Sequence, residues 1–270
     1  MRSHETVIAR INHLCLFIVF GFVAILLAGC VPVQTRPVVE NYVPKFDFQP
    51  PSASKPGSTG IALALVDTHY GAQSIGAWQQ VRPFADFTNS MSKDFEEILT
   101  NKGFGIKGPF RNYDEMTFPD KKGCQLILEP TLELSVNNMN LSSQLDFAAD
   151  IFAGPNVHVV KLSGVTALGG RISLILRESL TNEKMWIKSV ELPAKQVTWT
   201  TQESYQIPRA GGYPLEQLVN WADPGLANPI GKALEEYYQE IMEASWKYLN
   251  PEEVQLVNRQ AQEIRKKKVY

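Results

Sequence analysis

The sequence predicts an α+β fold: a mixed or antiparallel sheet with helices packed on it, a C-terminal helical pair and a preceding proline-rich tether. Three patterns indicate this fold. Residues 61–66 form a continuous apolar run, which is typical of a strand buried on both faces. Residues 172–192 alternate apolar and polar side chains around a turn at 181–183, which predicts a β-hairpin. Apolar residues recur three or four positions apart over 87–99 and 230–249, which predicts two amphipathic helices.

The segments after the first predicted helix favour strands and one polar loop. Gly103 is placed to end that helix, because glycine readily takes the left-handed capping conformation, and residues 104–107 then favour a short strand. Residues 124–136 favour a longer strand region with a bulge or an edge at Pro130, since proline has no N–H donor. Residues 145–153 have helical spacing. The amides between these two segments predict a polar loop: Asn137, Asn138 and Asn140.

The C-terminal half contains two signals for helix starts. Residues 157–168 favour a strand that Gly169-Gly170 ends. Asn228 is a suitable N-cap with Pro229 in the first helical position, and Asn250-Pro251 repeats that signal. The last helix has few apolar positions, so we expect it to lie on a surface or against a partner, and we expect a homo-oligomer. The basic run 265–268 at its end is favoured by the helix dipole, which makes a solvated end the simpler interpretation than a membrane or nucleic-acid site.

The N-terminus has the layout of a bacterial export signal. Arg2 and Arg10 precede a 15-residue apolar run that ends at Ala28 and is followed by Gly29-Cys30. Small residues leading directly into a cysteine resemble the lipobox of bacterial lipoproteins. The resemblance implies cleavage before Cys30 and a covalent lipid on its thiol, which would anchor the mature chain to a membrane.

Two other interpretations of this segment stay open. The run could be a retained transmembrane helix, although it is shorter than the roughly 20 residues that cross a bilayer core. It could also be an ordinary cleaved signal in which Cys30 is incidental. If the chain is a lipoprotein, Val31 favours the outer membrane, because an Asp at that position would resemble the inner-membrane retention signal.

These signals divide the chain into four parts. Residues 1–29 are the signal peptide, 30–59 a lipidated tether, 60–249 the α+β domain and 250–270 a basic C-terminal helix. Prolines favour an extended, hydrated tether. The alternative for this stretch is a strap packed on the domain, which its apolar residues support: Val38, Val39, Tyr42, Phe46 and Phe48.

Composition excludes several classes of partner and site. The net charge of −2 offers nothing to attract nucleic acid. Cys15 leaves with the signal and Cys30 carries lipid, so Cys124 has no partner for an internal disulfide. The mature chain keeps His69 and His158 without ligand-like spacing to other metal-binding residues, so we expect no metal and no cofactor apart from the lipid on Cys30.

Catalytic motifs are weak, and we expect no enzyme. Residues 103–108 match G-x-G-x-x-G, but the order is helix, glycines, strand, whereas dinucleotide binding needs the reverse. Adjacent glutamates such as Glu96-Glu97 fall on predicted helices, where neighbouring side chains diverge by about 100°. The simpler interpretation of His158 is a strand histidine whose ring is hydrogen-bonded within the fold. The alternative is a histidine that lines a ligand site.

Three stretches together resemble the HpaA-like lipoproteins, also called neuraminyllactose-binding haemagglutinins. They are residues 94–106, residues 120–134 and the helix 255–268, in this order behind a lipobox. The family resemblance implies a surface or outer-membrane lipoprotein that adheres to sialylated host glycans through a short basic segment. The matching positions, 136–143, contain no Lys or Arg to pair with a sialate carboxylate.

Two functions follow as hypotheses. The first is an adhesin whose region 137–160 contacts a host glycan or protein. Its candidate binding residues are Asn137, Asn138, Asn140, Phe147 and Phe152, with Ile151 beside them and core packing as the alternative for the apolar members. The second is a periplasm-facing lipoprotein that docks on an envelope assembly as an accessory subunit.

Overall fold

The structure is a computed structural model that describes residues 40–151, 157–206 and 214–268. The lipobox with Cys30 lies outside the described residues, and so does Phe152. Among the described residues, no helix combines the length and apolar character needed to span a membrane.

The fold is α+β with a mixed six-stranded sheet, as predicted. In sequence order the strands are β1 (Ala62–Val66), β2 (His69–Tyr70), β3 (Gly105–Phe110), β4 (Leu126–Leu145), β5 (Val157–Glu178) and β6 (Lys184–Gln206). The helices are α1 (Phe84–Asn101), α2 (Phe118–Lys122), α3 (Phe147–Asp150), α4 (Pro224–Tyr248) and α5 (Pro251–Lys268). The strand order is β3-β1-β4-β5-β6, and β2 also pairs with β4. Strand β1 runs parallel to β3 and β4, and β2 runs parallel to β4. Strand β5 runs antiparallel to both β4 and β6.

The core lies between the sheet and helices α1 and α4. Strand β1 is buried on both faces: Leu63 and Leu65 belong to the main cluster, and Ala64 and Val66 belong to a smaller cluster on the opposite face. The buried free thiol of Cys124 belongs to the smaller cluster. The main cluster includes large side chains from both helices, among them Phe84, Phe87, Phe95, Tyr237 and Tyr238.

The predicted polar loop at 137–140 is wrong, because β4 continues through it to Leu145. The predicted bulge at Pro130 is also wrong, since Pro130 pairs in register with Leu174. Pro130 falls between the residues of β4 that pair with β1 and those that pair with β2, so β4 has no strand partner on that side at Pro130, as the edge alternative predicts. The irregularity lies instead between Met139 and Ser142, where Asn140 has a φ of 53°.

Gly169-Gly170 does not end the strand as predicted, and β5 runs through both glycines with a shift in register. Gly170 has a φ of 155°, and a Cβ there would lie 2.0 Å from the carbonyl oxygen of Glu133. The glycine therefore permits the close approach of β4 to β5, which keeps the long sheet continuous.

Helix α4 begins earlier than predicted. Asp223 is its N-cap, accepting the N–H of Gly225 at 2.7 Å, and Pro224 takes the first position. Asp223-Pro224 and Asn228-Pro229 are equivalent start signals, so the local pattern does not choose between them. Pro229 lies inside the helix. The second start signal is confirmed, because Asn250 accepts the N–H of Glu252 at 2.9 Å.

Residues 40–48 pack on the domain as a strap, which is the alternative to an extended tether for this part of the chain. The ring of Phe46 lies 5.3 Å from the rings of both Phe87 and Tyr238. One carboxylate oxygen of buried Asp94 accepts the N–H of Phe48 at 2.7 Å and the hydroxyl of Tyr238 at 2.6 Å. Desolvation raises the pKa of Asp94, and these two donors compensate for part of that cost.

Helix α5 packs on its own domain. Val254, Val257 and Ala261 are buried, and Glu253 accepts the indole N–H of Trp186 at 2.8 Å. The sparse apolar stripe is therefore covered within the chain, so it no longer supports the expected oligomer, which stays a prediction.

The basic end of α5 is more than a solvated terminus. The guanidinium of Arg265 donates to Glu178 at 2.5 Å and to the carbonyl oxygens of Cys124 and Gln125 at 2.9 and 3.1 Å. The carboxylate side chain of Glu178 is fully buried. Burial opposes its ionisation, but the bonds from Arg265 and nearby amides outweigh that effect and hold the pKa of Glu178 below its usual value.

Replacing Arg265 by Met would leave the Glu178 carboxylate buried without its cation. We expect the free energy of unfolding to fall by about 3–5 kcal/mol, whereas Lys266→Met on the exposed side of α5 should change it by less than about 0.5 kcal/mol. Because the pKa of Glu178 is depressed in the fold, its contribution is present above the ordinary carboxyl range and lost on acidification. Urea titrations of wild type and variant should therefore converge at low pH, and equal stabilities at neutral pH would contradict this role.

Candidate functional site

Three long antiparallel strands form an arm that ends in the short helix α3. Strands β4, β5 and β6 have 20, 22 and 23 residues, well beyond the usual length of about five or six. We call residues 145–151 of β4 and α3, together with residues 157–160 of β5, the arm tip. The arm tip and the adjoining end of β4 contain the described part of the region 137–160 to which the sequence assigns binding.

The three predicted asparagines do not converge on one site. Asn138 accepts the hydroxyl of buried Thr166 at 2.6 Å, and Thr166 accepts the indole N–H of buried Trp199 at 2.8 Å. Asn138 thus completes a hydrogen-bond chain within the sheet. Asn137 donates to Ser135 at 2.8 Å, and successive strand residues point to opposite faces, so it lies away from Asn138. Asn140 is exposed at the bulge.

Helix α3 turns its carboxylates inward. Asp146 is its N-cap, accepting the N–H of Ala149 at 3.2 Å and the amide of Gln202 at 3.1 Å. Asp150 accepts the N–H of Val159 and a ring nitrogen of His158, both at 3.0 Å. Asp150 therefore fastens α3 to β5, and Asp146 fastens it to β6.

Three large apolar residues of the arm tip face outward, whereas Val159 and Val160 on β5 are buried. Phe147 is 71% exposed, Ile151 is 77% exposed and Leu145 is 42% exposed. Phe147 and Ile151 are four residues apart in one helical turn, so they are neighbours on one surface. This polarity is the reverse of an ordinary surface helix, in which apolar side chains face the core. Core packing, the alternative interpretation for Phe147 and Ile151, is therefore not what the structure shows.

The surroundings of Asp150 stabilise the ionised form of its carboxylate. The N–H of Val159 and then the hydrogen bond from His158 hold the pKa of Asp150 below its usual value. Asp150 therefore stays ionised at neutral pH and keeps both bonds. His158 is a satisfied strand histidine, which agrees with the simpler of its two interpretations.

A shallow depression of about 600 Å³ lies beside Gly170, away from the arm tip. Arg171 is a cation in its lining and donates to Glu133 at 2.7 Å, and Glu191 adds a second carboxylate. This surface is poorly suited to a sialate, because its arginine is already paired and its acids repel anions. No three His, Cys, Asp or Glu side chains in the described ranges are arranged to hold a metal ion.

The comparisons establish a likeness of fold. No family model and no curated protein matches the chain. Its structure is similar to that of a neuraminyllactose-binding hemagglutinin homolog from Helicobacter pylori, with a TM-score of 0.52 and 11% identity over 82% of this chain and 100% of that one. A hypothetical protein from Chlamydia trachomatis has a TM-score of 0.31 and 8% identity, over 72% of this chain and 98% of that one. A lipoprotein from Neisseria meningitidis has a TM-score of 0.26 and 12% identity, over 53% and 83%. The fold is thus shared with the hemagglutinin homolog, which agrees with the resemblance seen in the sequence.

Asp150→Ala should loosen α3, because it removes the acceptor for both Val159 and His158. We expect faster amide hydrogen exchange over residues 147–151 and unchanged exchange in β1 and α1. Asp150→Asn is the matched control, since it keeps an acceptor oxygen and should give an intermediate effect. The pKa of Asp150 is lowered in the fold, so the attachment is complete above the ordinary carboxyl range and weakens as the pH falls. Unchanged exchange in the Ala variant would show that other contacts hold α3.

Proposed function

We propose that this chain is an outer-membrane lipoprotein that acts as an adhesin, with the arm tip as its contact with the host surface. The observation that carries this proposal is the reversed polarity of α3, which presents Phe147 and Ile151 to solvent at the end of a three-stranded arm. Exposed apolar clusters on a folded surface commonly mark binding sites. The fold shared with a hemagglutinin homolog supports the same role.

The anchor in this proposal is a lipid on Cys30. The ten residue-to-residue steps from Cys30 to Glu40 could span at most about 36 Å if fully extended. From Glu40 onward the chain is held by the domain, since Asn228 donates to the carbonyl of Glu40 and accepts the N–H of Tyr42. Residues 40–48 of the proposed tether 30–59 are thus part of the folded domain.

The chemistry of the arm tip favours an apolar contact over sialate recognition. The outward side chains are those of Leu145, Phe147 and Ile151, and none of them can pair with a carboxylate. An adhesin of this kind would recognise its target through buried apolar area.

Changing Phe147 and Ile151 together to Ser should reduce the adherence of intact cells to host cells several-fold, because the outward apolar surface is lost. The matched control is Phe118→Ser with Ile75→Ser, which removes two exposed apolar side chains outside the arm tip. Surface labelling must show equal amounts of each protein. Wild-type adherence by the tip variant would contradict the adhesive role of the arm tip, and protection from protease in intact cells would favour a periplasm-facing accessory subunit.

Cys30→Ser should remove the lipid and move the protein from the membrane fraction to the soluble fraction. Mass spectrometry of the wild-type protein should find a lipidated Cys30 as the first residue. An intact N-terminus, or an unmodified thiol at Cys30, would refute the proposed anchor.

A further inference from the structure

We infer that the surface met by the arm tip is a lipid bilayer, into whose interfacial layer Phe147 and Ile151 insert. This inference rests on the proposed function, because it takes the arm tip as the adhesive contact, and it identifies the chemistry of the target as that of an apposed membrane.

The size of the apolar surface favours a bilayer over a protein partner. Among the described residues of the arm tip, the exposed fractions of Leu145, Phe147 and Ile151 give an apolar surface on the order of 400 Å². A stable protein–protein interface buries about 800 Å² on each partner. Shallow insertion into a membrane needs no matching surface, and its strength grows with each buried apolar group.

The hydrogen bonding of the arm tip is suited to a medium that offers few partners. The N–H of Asp146 donates to the carbonyl of Val159, and the N–H groups of Asp150 and Ile151 donate to the carbonyls of Asp146 and Phe147. The side-chain carboxylates of Asp146 and Asp150 are bonded within the domain. These groups already have hydrogen-bond partners before contact, so insertion does not leave them unpaired in the apolar layer.

The charges near the arm tip favour zwitterionic lipid. Among the described residues, Lys161 is exposed on β5, but Asp146 bonds to Gln202, the cross-strand partner of Lys161, and Asp150 bonds to Val159, so these residues do not form a basic patch. Attraction to anionic lipid depends on clustered Lys and Arg. Binding should therefore proceed on phosphatidylcholine and change little with salt.

The test places the lipidated protein in immobilised phosphatidylcholine donor vesicles and adds fluorescent phosphatidylcholine acceptor vesicles. Wild type should capture acceptor vesicles, and Phe147→Ser with Ile151→Ser should reduce capture by at least about tenfold. Phe118→Ser with Ile75→Ser should capture as wild type does. All the altered side chains are exposed, so both variants should keep the circular dichroism and melting temperature of the wild type.

A fluorescent probe locates the arm tip directly. Phe147→Cys offers an accessible thiol for an environment-sensitive dye, because Cys124 is buried and Cys30 carries lipid in the donor protein. A blue shift of the dye on addition of acceptor vesicles supports the inference. No shift overturns it, and so does a shift in donor vesicles alone, which would place the tip in the protein's own membrane.

Two additional capture experiments distinguish the possible classes of target. Capture only of acceptor vesicles that contain a sialylated ganglioside, or only of beads coated with host-cell surface protein, would overturn the bilayer as target while leaving the adhesive function standing. If the tip variant also leaves cell adherence unchanged, the proposed function fails with it.

Discussion

The whole arrangement depends on the uninterrupted pairing of β5 with β4 on one side and β6 on the other. Residues Val157–Glu178 have partners along nearly their entire length, and pairing resumes after each register shift, at Met139/Ser142 in the β4 ladder and at Leu168/Gly170 and Leu176/Arg177 in the β6 ladder. Gly170 lets β4 approach β5 closely, and Asn140 lies at the shift where β4 has one residue more than β5. Without this continuity there would be no arm, and α3 would have no strand to which its carboxylates could attach.

The sequence predicted the fold class, the buried strand, the hairpin and the two large helices, because each is a local periodicity enforced by one large buried surface. It missed the continuation of β4 through Asn137 and Asn138 because polar residues on a strand with a solvated face look like a loop when viewed alone. It misplaced the start of α4 because Asp223-Pro224 and Asn228-Pro229 offer the same local chemistry. The role of Arg265 was hidden because its partner, Glu178, is 87 residues away in the chain.

The candidate site was predictable only in part for a related reason. The sequence identified Phe147 and Ile151 as unusual, but a helical pattern does not say which face meets the domain. Two hydrogen bonds decide which face meets the domain. Asp150 accepts a backbone N–H of β5, and Asp146 accepts the side-chain amide of Gln202. Hydrogen bonding of the two carboxylates to the sheet leaves the apolar side of α3 outward, so these hydrogen bonds, and not burial of the apolar side chains, set the orientation of α3. Leu145 joins the outward surface because β4 ends beside this turn.

The proposed role as a tethered adhesin requires that load pass between the anchor and the contact, and two consecutive tyrosines of α4 connect residues 40–48 with the arm. The hydroxyl of Tyr237 donates to the carbonyl oxygens of Leu168 and Pro193, in β5 and β6 of the arm. The hydroxyl of Tyr238 donates to Asp94, the same carboxylate oxygen that holds Phe48 of the strap. Both rings are fully buried, and burial raises the pKa of Tyr237 to about 12, so it remains a donor at neutral pH. Force applied between strap and arm therefore passes through the packed core around α4, where separating the two requires breaking buried hydrogen bonds and exposing aromatic surface together.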